Sequence, residues 1–283
     1  MGQQVKCMFC GAEGDTREHV IPQWLHQMFN IKHKRVRVRN GSSVKYMHQV
    51  LPACKHCNGV RFAEIENKIK NNSATDQELF LWALKVYVGL NIKDTGLLEE
   101  RSRPEMGFVL TENEAFKGVG FASCLLSRFG SEEFRVYPSP FGSVFLHSLP
   151  SHVDSGFALC SIGYPYNVIT ISIGRNRLLS VILNDKGLVK KAISNSVITD
   201  TQLVEECSKF ILEKNETLTA NSYAKLLTMH YARYKCRIKI PTGFSITKNR
   251  IAAMRIPKKV KFKEYDEAGV TSDIVNKIFK FSA

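Results

Sequence analysis

The sequence predicts an α+β protein: a small zinc-stabilised module, then a larger mixed domain with an antiparallel sheet and C-terminal helices. Paired cysteines occur only in the first part of the chain, β-branched runs bounded by Gly, Pro or Asn occupy the middle, and apolar residues at helical spacing follow. A polar, turn-rich stretch over residues 71–76 separates these parts. We therefore predict a module over residues 1–72 and a substrate-binding or regulatory domain over residues 73–283.

The first module contains two Cys-x-x-Cys pairs, Cys7 with Cys10 and Cys54 with Cys57. Four thiolates at this spacing are typical of one tetrahedral structural zinc ion. The other four cysteines are scattered singly, and the chain has neither an apolar leader nor an apolar run of membrane-spanning length. This usage favours buried thiols in a reducing compartment, so we expect a cytoplasmic protein with no membrane segment.

Local patterns predict an extended segment, a short helix and a hairpin between the cysteine pairs. Residues 16–21 are expected to be extended, and Pro22 is expected to begin a short helix because proline is favoured at a first helical position. Valine alternates with basic residues over 32–39, Asn40-Gly41 is a two-residue turn signal, and residues 43–48 form the expected returning strand.

A helix is expected after the second cysteine pair. Asn58 is a residue type that caps helices, and Phe62, Ile65 and Ile69 recur at helical spacing behind it. Glu66 lies about 12 Å along such a helix from Asn58, which is too far for the two residues to bind one metal ion. We therefore expect Glu66 to act as a capping or salt-bridge residue.

The second domain combines a buried helix with a mostly antiparallel sheet. Residues 77–90 are apolar at most positions, which predicts a buried helix. β-branched runs predict strands over 157–162, 168–173 and 178–183. Two further helices are predicted over 201–214 and 218–234.

The charge pattern predicts a polyanionic partner. The formal charge is +14 and the isoelectric point is about 9.4, and no Asp or Glu occurs from residue 217 to 263. Basic and aromatic side chains interleave there, which suits phosphate contacts and base stacking in nucleic acid, and DNA is the expected partner. A solvated basic surface is the alternative. The predicted phosphate contacts are Arg35, Arg37, Arg39, Lys258, Lys259 and Lys261.

A Glu-His step beside the cysteines predicts phosphodiester hydrolysis. His19 follows Glu18 directly, and its imidazole suits a general base at physiological pH. Glu18 and Asn58 offer hard oxygen atoms that fit Mg²⁺ or Mn²⁺. Because Asn58 directly follows Cys57, a zinc ion would determine where its amide lies.

These residues resemble the HNH superfamily of endonucleases, in its four-cysteine zinc-containing branch, over about residues 1–72. The resemblance implies a ββα-metal fold, Glu18 and Asn58 as metal ligands, His19 as general base and products with a 5′-phosphate. The family's middle Asn corresponds to Gln49, which would hold the hairpin loop, with the adjacent His48 as an alternative. We therefore expect a metal-dependent DNA endonuclease, in the manner of a restriction or phage-defence effector.

Other functions fit part of the same pattern. The cysteines suit a purely structural zinc ribbon, and the charge suits a non-catalytic zinc-dependent nucleic-acid-binding protein. The β-rich middle of the chain, at about residues 105–198, suits a region that binds a small molecule or partner and switches the nuclease on. Four histidines are expected to contact solvent or phosphate: His26, His33, His48 and His56.

Overall fold

The computed structural model describes residues 5–110, 122, 126, 135–137, 139–151, 153–163, 166–194, 218–238, 245–247 and 250–252. Within these residues the chain is a mixed α+β protein with antiparallel sheets, helices and a four-cysteine cluster near the N-terminus. The predicted α+β class is therefore confirmed. The predicted helix over 201–214 and the predicted phosphate contacts Lys258, Lys259 and Lys261 lie outside the described residues.

The strand that carries the Glu-His step pairs with the strand that leads to the second cysteine pair. β1 (Thr16–His19) and β4 (Val50–Ala53) are antiparallel, with Glu18 opposite Leu51 and His19 opposite Val50. The extended character of β1 was predicted, whereas β4 was not. Pro22 precedes α1 (Gln23–Met28), which confirms the predicted short helix.

The predicted hairpin is present between these strands but is shorter than expected. β2 (Arg35–Arg37) pairs with β3 (Ser43–Lys45), and residues 46–48 form a 3₁₀ turn instead of extending the strand. The expected two-residue turn is wrong, because Val38 N donates to Ser42 O at 2.9 Å and the connection is therefore longer. Gly41 has a φ of +78°, a conformation that glycine adopts without strain.

The helix after the second cysteine pair begins before Asn58. A π-helical turn (Cys57–Phe62) leads into α2 (Ala63–Lys70), and the Asn58 N–H donates to Cys54 O at 3.0 Å. Asn58 is therefore inside the helix, and its predicted capping role is wrong. The predicted apolar face of this helix is buried, as expected: Phe62, Ile65 and Ile69.

A long buried helix follows. α3 (Asp76–Thr95) begins with a capping box, in which Thr75 N donates to Glu78 Oε2 at 2.8 Å and Glu78 N donates to Thr75 Oγ1 at 3.3 Å. Buried side chains occupy nearly every face of α3. This pattern is typical of a helix enclosed by protein on all sides, and it confirms the buried helix predicted over 77–90.

The middle of the chain contains four strands: β6 (Ser143–Ser148), β7 (Leu159–Ile162), β8 (Val168–Gly174) and β9 (Arg177–Ile182). They form an antiparallel sheet in the order β6-β9-β8-β7. The predicted strands are confirmed as β7, β8 and β9, and β6 was not predicted. Further elements are the helices α4 (Leu188–Ser194) and α5 (Ala220–Arg237) and a sheet of β5 (Arg135–Tyr137), β10 (Ser245–Thr247) and β11 (Arg250–Ala252).

The four-stranded sheet is the middle layer of three. Helix α3 packs on one face, together with α1 and α2, and α5 packs on the other. Side chains of a strand alternate between faces, so Ile169 and Ile171 join the buried cluster on the α3 side while Val168 joins the cluster on the α5 side. The cluster on the α3 side runs from Cys7 to Leu183 and thus includes residues from both predicted domains. The division at residue 72 stays a prediction.

No helix in the described ranges combines the length and apolar character that crossing a membrane requires.

Gly142 lies where the chain enters β6, in close contact with the sheet. A Cβ atom at this position would lie 2.0 Å from Ile182 O and 2.8 Å from Phe80 Cε2. We expect Gly142→Ala to lower the free energy of unfolding by at least about 2 kcal/mol, because backbone must shift to admit the methyl group. Urea unfolding followed by circular dichroism measures the change.

The matched control is Gly156→Ala. A Cβ atom at Gly156 meets nothing within 4 Å. That substitution should change the free energy of unfolding by less than about 1 kcal/mol. Equal effects of the two substitutions would contradict the close packing at Gly142.

Candidate active site and metal centre

The four paired cysteines form one cluster. Their Sγ atoms all lie within 4.8 Å of one another, and Cys10 Sγ is 3.7 Å from Cys54 Sγ. A tetrahedral zinc site with Zn–S bonds of about 2.3 Å has sulfur–sulfur edges of about 3.8 Å. The donor set and its dimensions therefore fit a metal ion and are consistent with the predicted structural zinc.

Backbone turns hold the thiolates in place. Cys7 N donates to Ala12 O at 2.7 Å and Gly11 N donates to Cys7 O at 3.0 Å, which folds the first pair into a tight loop. At the second pair, Cys57 N donates to Cys54 Sγ at 3.4 Å. The Arg61 guanidinium donates to Cys57 Sγ at 3.2 Å. These donors would partly neutralise the negative charge that four thiolates bring together around a bound metal ion.

Glu18 is buried on β1 and pairs with a buried lysine. Its Oε1 contacts Lys85 Nζ, which also donates to Glu66 Oε1 at 2.6 Å. The Lys85 side chain is 1% exposed and lies over the Phe62 ring. Burial raises the pKa of Glu18, and the nearby Lys85 ammonium opposes that rise. One lysine thus links strand β1, helix α2 and helix α3.

Sequence reasoning missed Lys85, although a signal was present. It is the single charged residue in the otherwise apolar run Leu81–Leu90. Lysine is almost never fully buried without a partner. A lysine in the middle of a predicted buried helix therefore indicates a buried acid opposite it. The salt-bridge role expected for Glu66 is what the structure shows.

His19 ends strand β1 and is half-buried. Its Nδ1 lies 3.2 Å from Gln23 Nε2, and its ring lies 5.5 Å from the His26 ring in an edge-on arrangement. Burial lowers the pKa of His19, and the positive charges of Lys85 and Lys32 lower it further. The imidazole is therefore neutral at physiological pH, as a general base requires.

Asn58 lies against the strand that carries Glu18 and His19. Its Nδ2 is 3.1 Å from Thr16 Oγ1 and 3.4 Å from Arg17 O, both acceptors on β1. Among the described residues, no hydrogen bond or ion pair joins the side chains of His19, Glu18 and Asn58. The structure thus places the three predicted residues on one strand and the helix beside it.

Gln49 joins the loop before β4 to the end of β1. Its carbonyl accepts from Val20 N at 2.8 Å, and its own N–H donates to Tyr46 O at 3.0 Å. The residue is 5% exposed. Its backbone therefore helps to hold the loop, and the role predicted for its side chain stays a prediction.

His26 was expected to contact solvent or phosphate, and this expectation is wrong. The residue is 3% exposed, and its ring packs between those of His19 and Tyr46. Its Nε2 is buried with no hydrogen-bond partner among the described residues. The short helix α1 buries Leu25 and His26 against the core. Six helical residues are too few for a periodic pattern that predicts which face is buried. The other three histidines named with it are exposed: His33, His48 and His56.

The arginines predicted to bind phosphate differ in their surroundings. Arg39 Nε is 2.7 Å from Asp94 Oδ2, and Arg35 Nη1 donates to Ser43 O at 3.3 Å. Arg37 is exposed and has no hydrogen-bond or ion-pair partner within the described part of the chain. Of these three, Arg39 alone is paired with an acid, so the guanidinium groups of Arg35 and Arg37 keep an uncompensated charge within the described part of the chain.

Comparisons with protein-family models, with curated proteins and with solved structures find no match to this chain. The four-cysteine cluster is shown by the geometry alone. The HNH resemblance of the first module rests on its sequence motifs: the cysteine pairs, the Glu18-His19 step and Asn58.

The cysteine cluster should carry stability through its metal. We expect Cys57→Ser to lose bound zinc and to unfold the region around β1, β4 and α2, because the binding free energy of a structural metal is folding free energy. Zinc content by inductively coupled plasma mass spectrometry and thermal unfolding by circular dichroism measure both effects.

Cys160→Ser is the matched control, since Cys160 lies outside the cluster on β7. It should keep one zinc per chain. A Cys57→Ser protein with full zinc content and unchanged unfolding would contradict the metal centre.

Burial of neutral His26 should make folding sensitive to acid. Burial lowers the pKa of His26 from its ordinary 6.5 to about 4. Because the unfolded chain binds a proton at this residue more readily than the folded chain, the free energy of unfolding is highest above about pH 6.5. It falls by up to about 3 kcal/mol as pH falls toward 4. We expect His26→Leu to remove this part of the pH dependence, measured as the difference between wild-type and variant unfolding free energies from pH 7.5 to 4. Parallel curves for the two proteins would contradict it.

Proposed function

We propose that the first 72 residues form an HNH-type module that hydrolyses phosphodiester bonds of DNA with a divalent metal ion. The order of elements supports it: the strand with Glu18 and His19, then β4, then the helix with Asn58, all beside the cysteine cluster. This is the order that a ββα-metal fold requires. The β2–β3 hairpin is inserted between the two strands.

One observation carries the proposal. Lys85 contacts Oε1 of Glu18, and Asn58 uses its Nδ2 as donor to Thr16 and Arg17. Among the described residues, Glu18 Oε2 and Asn58 Oδ1 have no protein partner. The two predicted ligand residues are thus anchored through one atom each and keep an oxygen for a hard cation, which fits Mg²⁺ or Mn²⁺. When bound, such an ion would supply positive charge at the scissile phosphate.

His19 supplies the base. Its neutral imidazole accepts a proton from the attacking water through the ring nitrogen that carries none. In the structure Gln23 Nε2 lies 3.2 Å from Nδ1. Rotation of the amide would place its oxygen there instead, where it would accept a hydrogen bond from Nδ1–H and leave Nε2 free to take the proton of the water.

Lys85 positions Glu18 and balances charge. The carboxylates of Glu18 and Glu66 and the ammonium of Lys85 together carry a net charge of −1. Without the lysine the charge would be −2, which would repel an incoming phosphate more strongly. Removal of the lysine would leave uncompensated buried charge, which is strongly destabilising.

The partner we propose is DNA. The net charge of +14 and the free guanidinium of Arg37 support a polyanionic substrate. A non-catalytic zinc-dependent nucleic-acid-binding protein is the second candidate, which the charge and the cysteine cluster favour equally. A role in restriction or phage defence, and a cytoplasmic location, stay predictions.

Plasmid cleavage tests the proposal. Purified zinc-loaded protein with Mg²⁺ or Mn²⁺ should nick or cut supercoiled DNA, and His19→Ala should reduce the rate at least about 100-fold because a general base is lost. Nucleic-acid affinity, measured by fluorescence anisotropy, should change little.

His56→Ala is the control, since His56 is an exposed histidine next to the cluster. It should cleave at the wild-type rate. Cleavage by His19→Ala at the wild-type rate would exclude the mechanism. Salt-dependent binding without any cleavage by the wild-type protein would favour the non-catalytic candidate.

A further inference from the structure

A cleft of about 220 Å³ lies beside the proposed active site. The β2–β3 hairpin, the C-terminal part of α3 and strand β7 enclose it. Its walls include apolar side chains of Leu90 and Leu159, and its polar groups are those of Arg37, Arg39, Tyr46, Gln49, Asp94 and Ser161. The volume is suited to a small planar group.

The amide of Gln49 is available to a ligand in the cleft. Gln49 is 5% exposed and lines this cleft, and its side chain has no hydrogen-bond partner among the described residues. Its amide atoms are not among the fully buried atoms that lack a partner, so solvent or a ligand in the cleft reaches them. An amide offers both donors and an acceptor, so it can bond the edge of a heterocycle.

The rest of the cleft has the chemistry of a nucleotide site. Tyr46 offers an aromatic wall, and burial raises its pKa to about 12, so the hydroxyl stays protonated and can donate. Arg39 is neutralised by Asp94 at 2.7 Å, which leaves Arg37 as the uncompensated charge at the cleft. An apolar and aromatic slot with an amide and one guanidinium suits a nucleobase with its adjacent phosphate.

The cleft is two side chains away from His19. The Tyr46 ring lies 6.2 Å from that of His26, which lies 5.5 Å from that of His19. When a phosphate lies at His19, a base one or two nucleotides away along the strand can therefore reach the cleft.

We propose that this cleft binds one unstacked nucleobase of the nucleic acid on which His19 acts. The inference rests on the proposed function for its substrate. The energetic consequence is a preference for DNA in which one base is already unpaired, because extrusion from an intact duplex costs a few kcal/mol.

Binding of two labelled duplexes tests it, without added Mg²⁺ or Mn²⁺ so that cleavage does not interfere. The duplexes are identical except for a single mismatch in one of them. Fluorescence anisotropy with the full-length zinc-loaded protein should show at least about 10-fold tighter binding to the mismatched duplex. Ser161→Trp, which fills the mouth of the cleft, should abolish this preference, and Gln49→Leu should reduce it.

Ser155→Trp is the matched control, because Ser155 is an exposed serine outside the cleft. It should keep the full preference. Equal affinity of the wild-type protein for both duplexes, or a preference that survives in Ser161→Trp, would overturn the inference while leaving the nuclease proposal intact. Failure to bind either duplex would instead overturn the proposed function and the inference together.

Free nucleoside monophosphates distinguish a polymer base from a small nucleotide. Isothermal titration of each of the four with the wild-type protein should show binding much weaker than that of the mismatched duplex, because the polymer adds phosphate contacts. Binding as tight as that of the duplex, lost in Ser161→Trp, would assign the cleft to a free nucleotide and overturn the role in substrate binding.

Discussion

The four-thiolate cluster is the constraint on which the proposed site depends. It joins a loop at residues 7–12 to the junction between β4 and the following helix, segments that are more than forty residues apart in sequence. The buried side chains of this region belong to the same apolar cluster as those of α3 and the sheet, and a metal ion held by the four cysteines would add a cross-link between the two segments. By fixing Cys54 and Cys57, the cluster also fixes the first helical turn and hence the position of Asn58 against β1.

Lys85 is the second connection, between this region and the rest of the chain. It reaches from the central helix α3 to Glu18 on β1 and Glu66 on α2. A buried ion cluster is weak evidence for net stability, but it specifies geometry, because any other arrangement leaves a charge buried and unpaired. The continuous apolar cluster from Cys7 to Leu183 also holds the first region in a defined position against the rest of the chain. The catalytic residues we propose are thus oriented by a helix that sequence patterns assigned to a different domain.

The cleft beside His19 depends on both halves of the chain. Arg37, Tyr46 and Gln49 come from the first 72 residues, whereas Leu90, Leu159 and Ser161 come from α3 and β7. If the cleft binds a base as we propose, the β-rich middle of the chain takes part in substrate recognition. That role agrees with the substrate-binding alternative expected for residues 73–283 and not with the switching alternative, and it follows from the position of β7 beside the hairpin at the cleft.

Sequence by itself determined the parts that local chemistry dictates. Cysteine spacing predicted the cluster, and β-branched runs predicted β7, β8 and β9. For β8 and β9 the runs are nearly continuous because these strands are buried on both faces. Only the tertiary structure decided that β1 pairs with β4, that His26 is buried and that Lys85 bonds Glu18. These are contacts between residues distant in the chain, and their energy comes from desolvation and pairing that exist only once the surrounding elements have packed.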